Sequence, residues 1–251
     1  MRQNIVAGNW KMNKDFQEGL DLVKGIIENT NPSDTQVVLC TPFIHLQAAS
    51  ELAKDVPNVA IAAQNCYTKS SGAYTGETSV PMLKSIGVEY VVIGHSERRE
   101  YFNESHAFLA EKVNVVLENG LLPIFCCGES LDIRQAGTFV EYVATQLKES
   151  LFHLSAEDFG KVVVAYEPIW AIGTGVTASR EQAQETQAAL RQVIAEKYGE
   201  AVADDTTILY GGSVKPANAV ELFGCADVDG GLVGGASLTV ENFIPIIKAF
   251  N

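Results

Sequence analysis

No apolar run in this chain approaches the roughly 20 residues that a membrane-spanning helix requires. The opening residues Met1-Arg2-Gln3-Asn4-Ile5 carry no apolar leader. A cytoplasmic protein without membrane association is therefore expected. Basic charge is scarce as well: 18 Lys and Arg stand against 31 Asp and Glu, a net charge of −13. That balance argues against non-specific nucleic-acid binding, which needs clustered cations facing phosphates. The five cysteines, Cys40, Cys66, Cys126, Cys127 and Cys225, form neither a C-x-x-C nor a zinc spacing, so buried, reduced thiols are expected. His45, His106 and His153 have no ligand-like spacing, and no metal site is expected. No Gly-Lys-Ser/Thr follows the glycine pairs, which rules out a Walker-type loop. The sequon Asn103-Glu104-Ser105, with no leader ahead of it, reads as chance.

What the chain does have is apolar material for a large core: 47% of 251 residues are hydrophobic. Short, continuously apolar runs alternate with longer amphipathic stretches. The runs are Ile5-Val6-Ala7, Val37 to Cys40, Ala60 to Ala63, Tyr90 to Ile93, Pro123 to Cys126, Val162 to Ala165, Ile208 to Tyr210 and Gly230 to Val233. Runs of this kind suit parallel strands buried on both faces. Between them, Ser179 to Tyr198 places Ala183, Thr186, Leu190, Val193 and Ile194 mostly at spacings of three and four. Ser179 and Gln182 at its start fit a capping box. Thr138 to Leu151 sets Val140, Val143, Leu147 and Leu151 on one stripe. No low-complexity linker or composition break interrupts the series. The reading is one domain over residues 1–251, a closed (β/α)8 barrel rather than an open doubly wound sheet.

In such a barrel, chemistry sits where strands end. Strand one runs into Asn9-Trp10-Lys11, strand four into His95-Ser96-Glu97, and strand six into Glu167-Pro168. Strands seven and eight run into Gly211-Gly212-Ser213 and Gly234-Gly235. A lone Gly-Gly pair reads as a turn, but two pairs at successive strand ends favour backbone N–H groups cradling a phosphate. Glu167, at the mouth of an apolar strand, is either an ordinary surface carboxylate or a base in a low-dielectric pocket. His95 is either a structural histidine or, at a helix start that would lower its pKa, a neutral hydrogen-bond donor. Lys11 is either solvated or faces the rim. Arg98 and Arg99 are expected to pair with Glu100, Glu104 or other carboxylates. Together the rim groups suit proton abstraction next to a carbonyl, with the developing oxygen charge stabilised by His and Lys.

Several segments resemble the triosephosphate isomerase family from end to end. They are Gly8 to Asn13, Gly94 to Arg99, Ala165 to Gly175, Tyr210 to Val214 and Leu232 to Leu238. The resemblance implies a TIM barrel that interconverts dihydroxyacetone phosphate and D-glyceraldehyde 3-phosphate without a cofactor. It makes Glu167 the base, His95 the neutral electrophile, and Lys11 and Asn9 the groups that stabilise the enediolate. Gly173, Gly234 and Gly235, with Ser213, would hold the phosphate, Glu97 would support Lys11, and Cys126 would be a packing residue near the base. A lid is implied from Pro168 to Ala178, with Pro168-Ile169-Trp170 and Val176-Thr177-Ala178 as hinges around Ala171-Ile172-Gly173-Thr174-Gly175. Family members usually carry Lys where this chain has Val176. The segment from Gln64-Asn65 through Glu77 resembles the loop that makes the family homodimeric, with Thr75 at its tip. Another phosphate-binding barrel, or a non-catalytic one, is the rival reading, and the set Asn9, Lys11, His95 and Glu167 tells against both.

Overall fold

Each apolar run forms a strand: β1 (Ile5–Asn9), β2 (Gln36–Thr41), β3 (Val59–Ala63), β4 (Tyr90–Ile93), β5 (Leu122–Cys127), β6 (Val163–Tyr166), β7 (Ile208–Tyr210) and β8 (Gly230–Val233). The computed structural model describes residues 2–30, 35–172 and 177–250. All neighbouring strands are parallel, and β8 pairs back onto β1, so the sheet closes into a barrel. Alternate residues explain the continuous apolar runs. Ile5, Ala7, Val38, Cys40, Val92 and Leu209 fill the barrel interior. Val6, Val37, Leu39, Val91 and Ile208 point outward into a second layer packed by helices. Closure depends on Gly230, which sits at φ +132°, and a Cβ there would lie 1.8 Å from the Ile5 carbonyl oxygen. Only glycine allows the two strands to meet.

The surrounding helices are α1 (Phe16–Asn29), α2 (Leu46–Ala53), α3 (Val80–Ser85), α4 (Ser96–Tyr101), α5 (His106–Glu118), α6 (Leu131–Gln135), α7 (Phe139–Leu151), α8 (Ala156–Phe159), α9 (Arg180–Tyr198), α10 (Glu200–Asp205), α11 (Pro216–Phe223) and α12 (Val240–Ile247). Among the described residues no helix is long and apolar enough to cross a membrane. The capping box at α9 forms as the spacing predicts: Gln182 N–H donates to Ser179 Oγ and Ser179 N–H to Gln182 Oε1. The buried face of α9 is more polar than its apolar stripe suggests. Val193 is half-buried, while Gln187 and Arg191 are fully sequestered.

Arg191 accounts for that polarity. Its guanidinium donates to Asp227 Oδ1 (2.6 Å), Asp229 Oδ2 (2.8 Å) and the carbonyls of Ala203 (2.6 Å) and Thr206 (2.8 Å). Asp229 also accepts the Ile208 N–H at the start of β7. One side chain thus ties α9, α10 and the strand starts of β7 and β8 at the end of the barrel opposite the rim. Burial pushes the Asp229 carboxyl upward, and the guanidinium and the Ile208 N–H act against that push. Removing the cation leaves the buried Asp229 carboxylate with only one cation, the partly exposed Arg2, 3.3 Å from its other oxygen, and breaking a buried pair typically costs about 3–5 kcal/mol. Arg191→Met should therefore lower the urea midpoint by a corresponding amount, read by circular dichroism; a shift under about 1 kcal/mol, the size of an exposed pair, would show the network to be decorative.

Candidate active site

The rim is built on strand ends that the closed sheet forces together. At the end of β1, Asn9 is buried and its side-chain oxygen accepts the Lys11 N–H at 3.1 Å. Lys11 itself lies in the left-handed region at φ 52°, an uncommon state for a residue with a side chain. Two contacts hold it there. Gln64 Nε2 donates to the Lys11 carbonyl (3.0 Å) and to the Cys40 carbonyl (2.9 Å), and the Lys11 ammonium reaches Glu97 Oε1 at 2.5 Å.

At the end of β4, His95 is the N-cap of α4, and its Nδ1 accepts the Glu97 N–H at 3.3 Å. An acceptor at Nδ1 must be unprotonated, so the remaining proton belongs on Nε2. Nε2 faces Glu167 Oε1 at 2.9 Å, and the other carboxylate oxygen of Glu167 accepts the Ser96 N–H at 3.0 Å. Glu167 is 1% exposed, which settles the choice between surface carboxylate and pocket carboxylate in favour of the pocket. The strand β6 reaches this depth because Gly128 has no side chain: a Cβ there would sit 1.7 Å from the Glu167 carbonyl oxygen.

The helix start at α4 forms as expected, but the direction of the His95 pKa does not follow it. Burial opposes charging the ring; the Glu167 carboxylate, by charge and hydrogen bond, outweighs burial with help from Glu97, and the net shift is upward. Of the two arginines, Arg98 does pair with Glu104 (2.7 Å). Arg99 instead donates to the Gly94 and Cys126 carbonyls at 2.7 and 2.9 Å, which fastens β4 to β5. All five cysteines are free and buried. Burial raises the Cys126 thiol well above its usual range, so it stays protonated beside β6 and packs in the barrel interior.

Asn9, Lys11, His95, Glu167, Ser213, Gly234 and Gly235 all line one cavity of about 630 Å³. A wider groove of about 1000 Å³ runs over α2 and α3, but none of these residues reaches it. The rim cavity is the candidate site because it gathers a buried carboxylate, an imidazole and an ammonium. Gly173, Thr174, Gly175 and Val176, the middle of the expected lid, lie outside the described residues. Of the flanking positions, Pro168 and Ala171 are buried, Ile169, Trp170 and Ile172 half-buried, Thr177 exposed and Ala178 buried.

Glu129 and Gln64 are not visible as site residues in the sequence: Glu129 belongs to no motif, and Gln64 stands there only as the start of the loop after β3. Glu129 is fully buried and accepts from Tyr166 OH and Trp170 Nε1, each at 2.9 Å. Its carbonyl accepts the Ile169 N–H at 3.1 Å. Burial raises the Glu129 carboxyl, and the Trp170 and Tyr166 donors counter the rise. The turn Ile169–Ala171 is thereby clamped to the loop after β5. Hydrogen bonds to a charged group are worth about 1.5–3 kcal/mol. Trp170→Phe should raise hydrogen exchange at the Ile169 to Ile172 amides by about ten- to hundredfold, with strand amides unaltered; unchanged exchange there would remove the clamp.

A profile of the triosephosphate isomerase family matches residues 4–250. The chain is 59% identical to the curated triosephosphate isomerase of Cytophaga hutchinsonii, 57% to that of Bacteroides fragilis and 56% to that of Porphyromonas gingivalis, each over 100% of both chains. The matched span covers every strand of the barrel and every residue of the rim, and the chain belongs to the triosephosphate isomerase family.

Proposed function

We propose that this protein interconverts dihydroxyacetone phosphate and D-glyceraldehyde 3-phosphate, in the cytoplasm, as a step of glycolysis and gluconeogenesis. The observation that carries the reading is the buried Glu167 carboxylate against His95 Nε2 in a cavity that Asn9, Lys11 and the Gly-Gly-Ser turns also line. The glycine pairs and the Ser213 hydroxyl supply uncharged donors for the phosphate, while Gly173 belongs to the same proposed cradle. Glu167 takes the proton from the carbon beside the substrate carbonyl, and the electron pair left behind forms an enediolate. The Nε2–H of His95 donates to the oxygen where charge develops, with the Lys11 ammonium and the Asn9 amide beside it. The hydroxyl proton passes from one enediolate oxygen to the other by way of His95 Nε2, Glu167 returns its proton to the neighbouring carbon, and no external oxidant or reductant enters.

His95 in this cycle works as a neutral donor. The upward push on its pKa comes chiefly from Glu167 resting against the ring, with a smaller part from Glu97 that the Lys11 ammonium opposes. Once the Glu167 carboxylate turns to the substrate, most of the push is withdrawn; burial and the N–H donor at Nδ1 remain, and both favour the uncharged ring. Glu97 keeps the Lys11 ammonium at the rim and does not touch the reacting carbons. Residues Pro168 to Ala178 act as a lid that keeps water from the enediolate.

The active form is a homodimer. Eight of the eleven exposed large apolar side chains among the described residues, Met12, Phe16, Phe43, Ile44, Tyr74, Met82, Tyr101 and Phe102, follow strands β1 to β4 and so belong to one half of the barrel. An apolar surface concentrated in this way favours a protein partner. The loop after β3 projects from the same half. Lys69 to Glu77 are exposed, while Tyr67 at the base packs tilted against Tyr74 at 4.8 Å. Its tip at Thr75 would reach toward Lys11 and Asn9 of a second copy and pack them from behind.

Two experiments test this reading on purified protein. In a coupled assay with D-glyceraldehyde 3-phosphate, Glu167→Gln should fold normally and lose at least about a hundredfold in turnover, the usual scale of general-base catalysis. Retention of more than about a tenth of wild-type turnover would remove Glu167 from the base role. Deleting Lys69 to Thr75 should yield a monomer in sedimentation, with native circular dichroism and most turnover lost. A variant that stays dimeric and active would place the interface elsewhere.

A further inference from the structure

We propose that Lys215 is a positioning residue for the substrate phosphate, a cation that draws the dianion to the cradle from solution. The inference rests on the reading of Ser213, Gly234 and Gly235 as that cradle. Lys215 lines the same cavity and is exposed at its mouth. It follows Ser213 by two residues and immediately precedes Pro216, the first residue of α11.

The charges at the cavity show why such a group is needed. The chain as a whole carries −13, and its field opposes an approaching anion. Inside the rim, Glu167 is negative, and the Lys11 charge is already tied to Glu97 at 2.5 Å. Those three groups leave one negative charge in excess. Among the described residues, no carboxylate lies within ion-pairing distance of the Lys215 ammonium, so its charge is available to bring the balance to zero on the side where the phosphate enters. The uncharged cradle donors act over hydrogen-bond distances, whereas a charge acts out to about 10 Å at moderate salt.

The backbone at Lys215 is fixed rather than left to drift. Asn218 Oδ1 accepts the Lys215 N–H at 2.7 Å, and Asn218 Nδ2 donates to the Ser213 carbonyl at 3.1 Å. One side chain on the first turn of α11 therefore fixes the backbone from Ser213 to Lys215.

The test compares wild type, Lys215→Gln and Lys215→Arg at about 0.01 M and about 0.3 M ionic strength. Substrate kinetics are measured with D-glyceraldehyde 3-phosphate, and inorganic phosphate serves as competitive inhibitor. For Lys215→Gln at low ionic strength, kcat/KM should fall about three- to tenfold, the scale of one charge acting on a dianion through water. The loss should fall on KM more than kcat, weaken phosphate inhibition in parallel, and shrink at high ionic strength. Lys215→Arg should retain wild-type behaviour. An unaltered kcat/KM and salt slope in Lys215→Gln would overturn the proposal. A salt-independent loss shared by Lys215→Arg, or one confined to kcat, would make Lys215 a structural part of the α11 start and overturn it too. If inorganic phosphate fails to inhibit the wild type, the cradle reading falls and takes this proposal with it. Inhibition equal in wild type and Lys215→Gln refutes the role of Lys215 alone.

Discussion

A carboxylate that is 1% exposed has to be compensated, and the rim is arranged around that requirement. Glu167 finds one partner in the Ser96 N–H and another in His95 Nε2, both at the β4–α4 junction. This couples the ends of β4 and β6, strands that are not adjacent in the barrel. The same junction supplies Glu97, which holds the Lys11 ammonium across from β1. Three strand ends are thus linked through one short helix start. The hydrogen bond in which Nδ1 accepts the Glu97 N–H exists because His95 is the cap of that helix. Carboxylate, imidazole and ammonium are therefore positioned by the backbone geometry of a few consecutive residues.

The barrel has a second polar centre of opposite purpose. Arg191 gathers two carboxylates and two carbonyls at the end away from the rim, and none of those groups lines the rim cavity. It secures the last turn of the closed sheet, next to the Gly230–Ile5 contact where β8 meets β1. The two centres divide the load. One holds the ring shut, and the other exploits the convergence of strand ends that the closed ring produces. Glu129 stands between these roles: it is as buried as Glu167, yet its partners lie on the end of β6 and the turn that follows it.

Local pattern was enough for the elements. Continuous apolar runs such as Tyr90 to Ile93 matched strand bounds, because a strand enclosed on both faces has no polar alternation to blur it. The α9 start was legible from Ser179 and Gln182, since a capping box is a contact between residues three apart. The apolar stripe of α9 was less faithful. Arg191 occupies a buried place on it because its partners lie 12 to 38 residues away, and no window over the helix contains them.

The rim divides along the same line. The residue types and their order at the strand ends were determined by sequence: Asn9 and Lys11 after β1, His95 after β4, Glu167 after β6, and glycine pairs after β7 and β8. Only the tertiary structure decided between a surface and a pocket carboxylate at Glu167, the upward direction of the His95 pKa, and the diversion of Arg99 from carboxylates to backbone carbonyls. It also disclosed Gln64 and Glu129, whose hydrogen bonds span 24 to 53 and 37 to 41 residues of chain. The physical reason is that hydrophobic periodicity and capping are set between near neighbours along the chain. Burial, charge pairing and hydrogen-bond satisfaction depend on which distant segments the closed barrel brings to the same few ångströms.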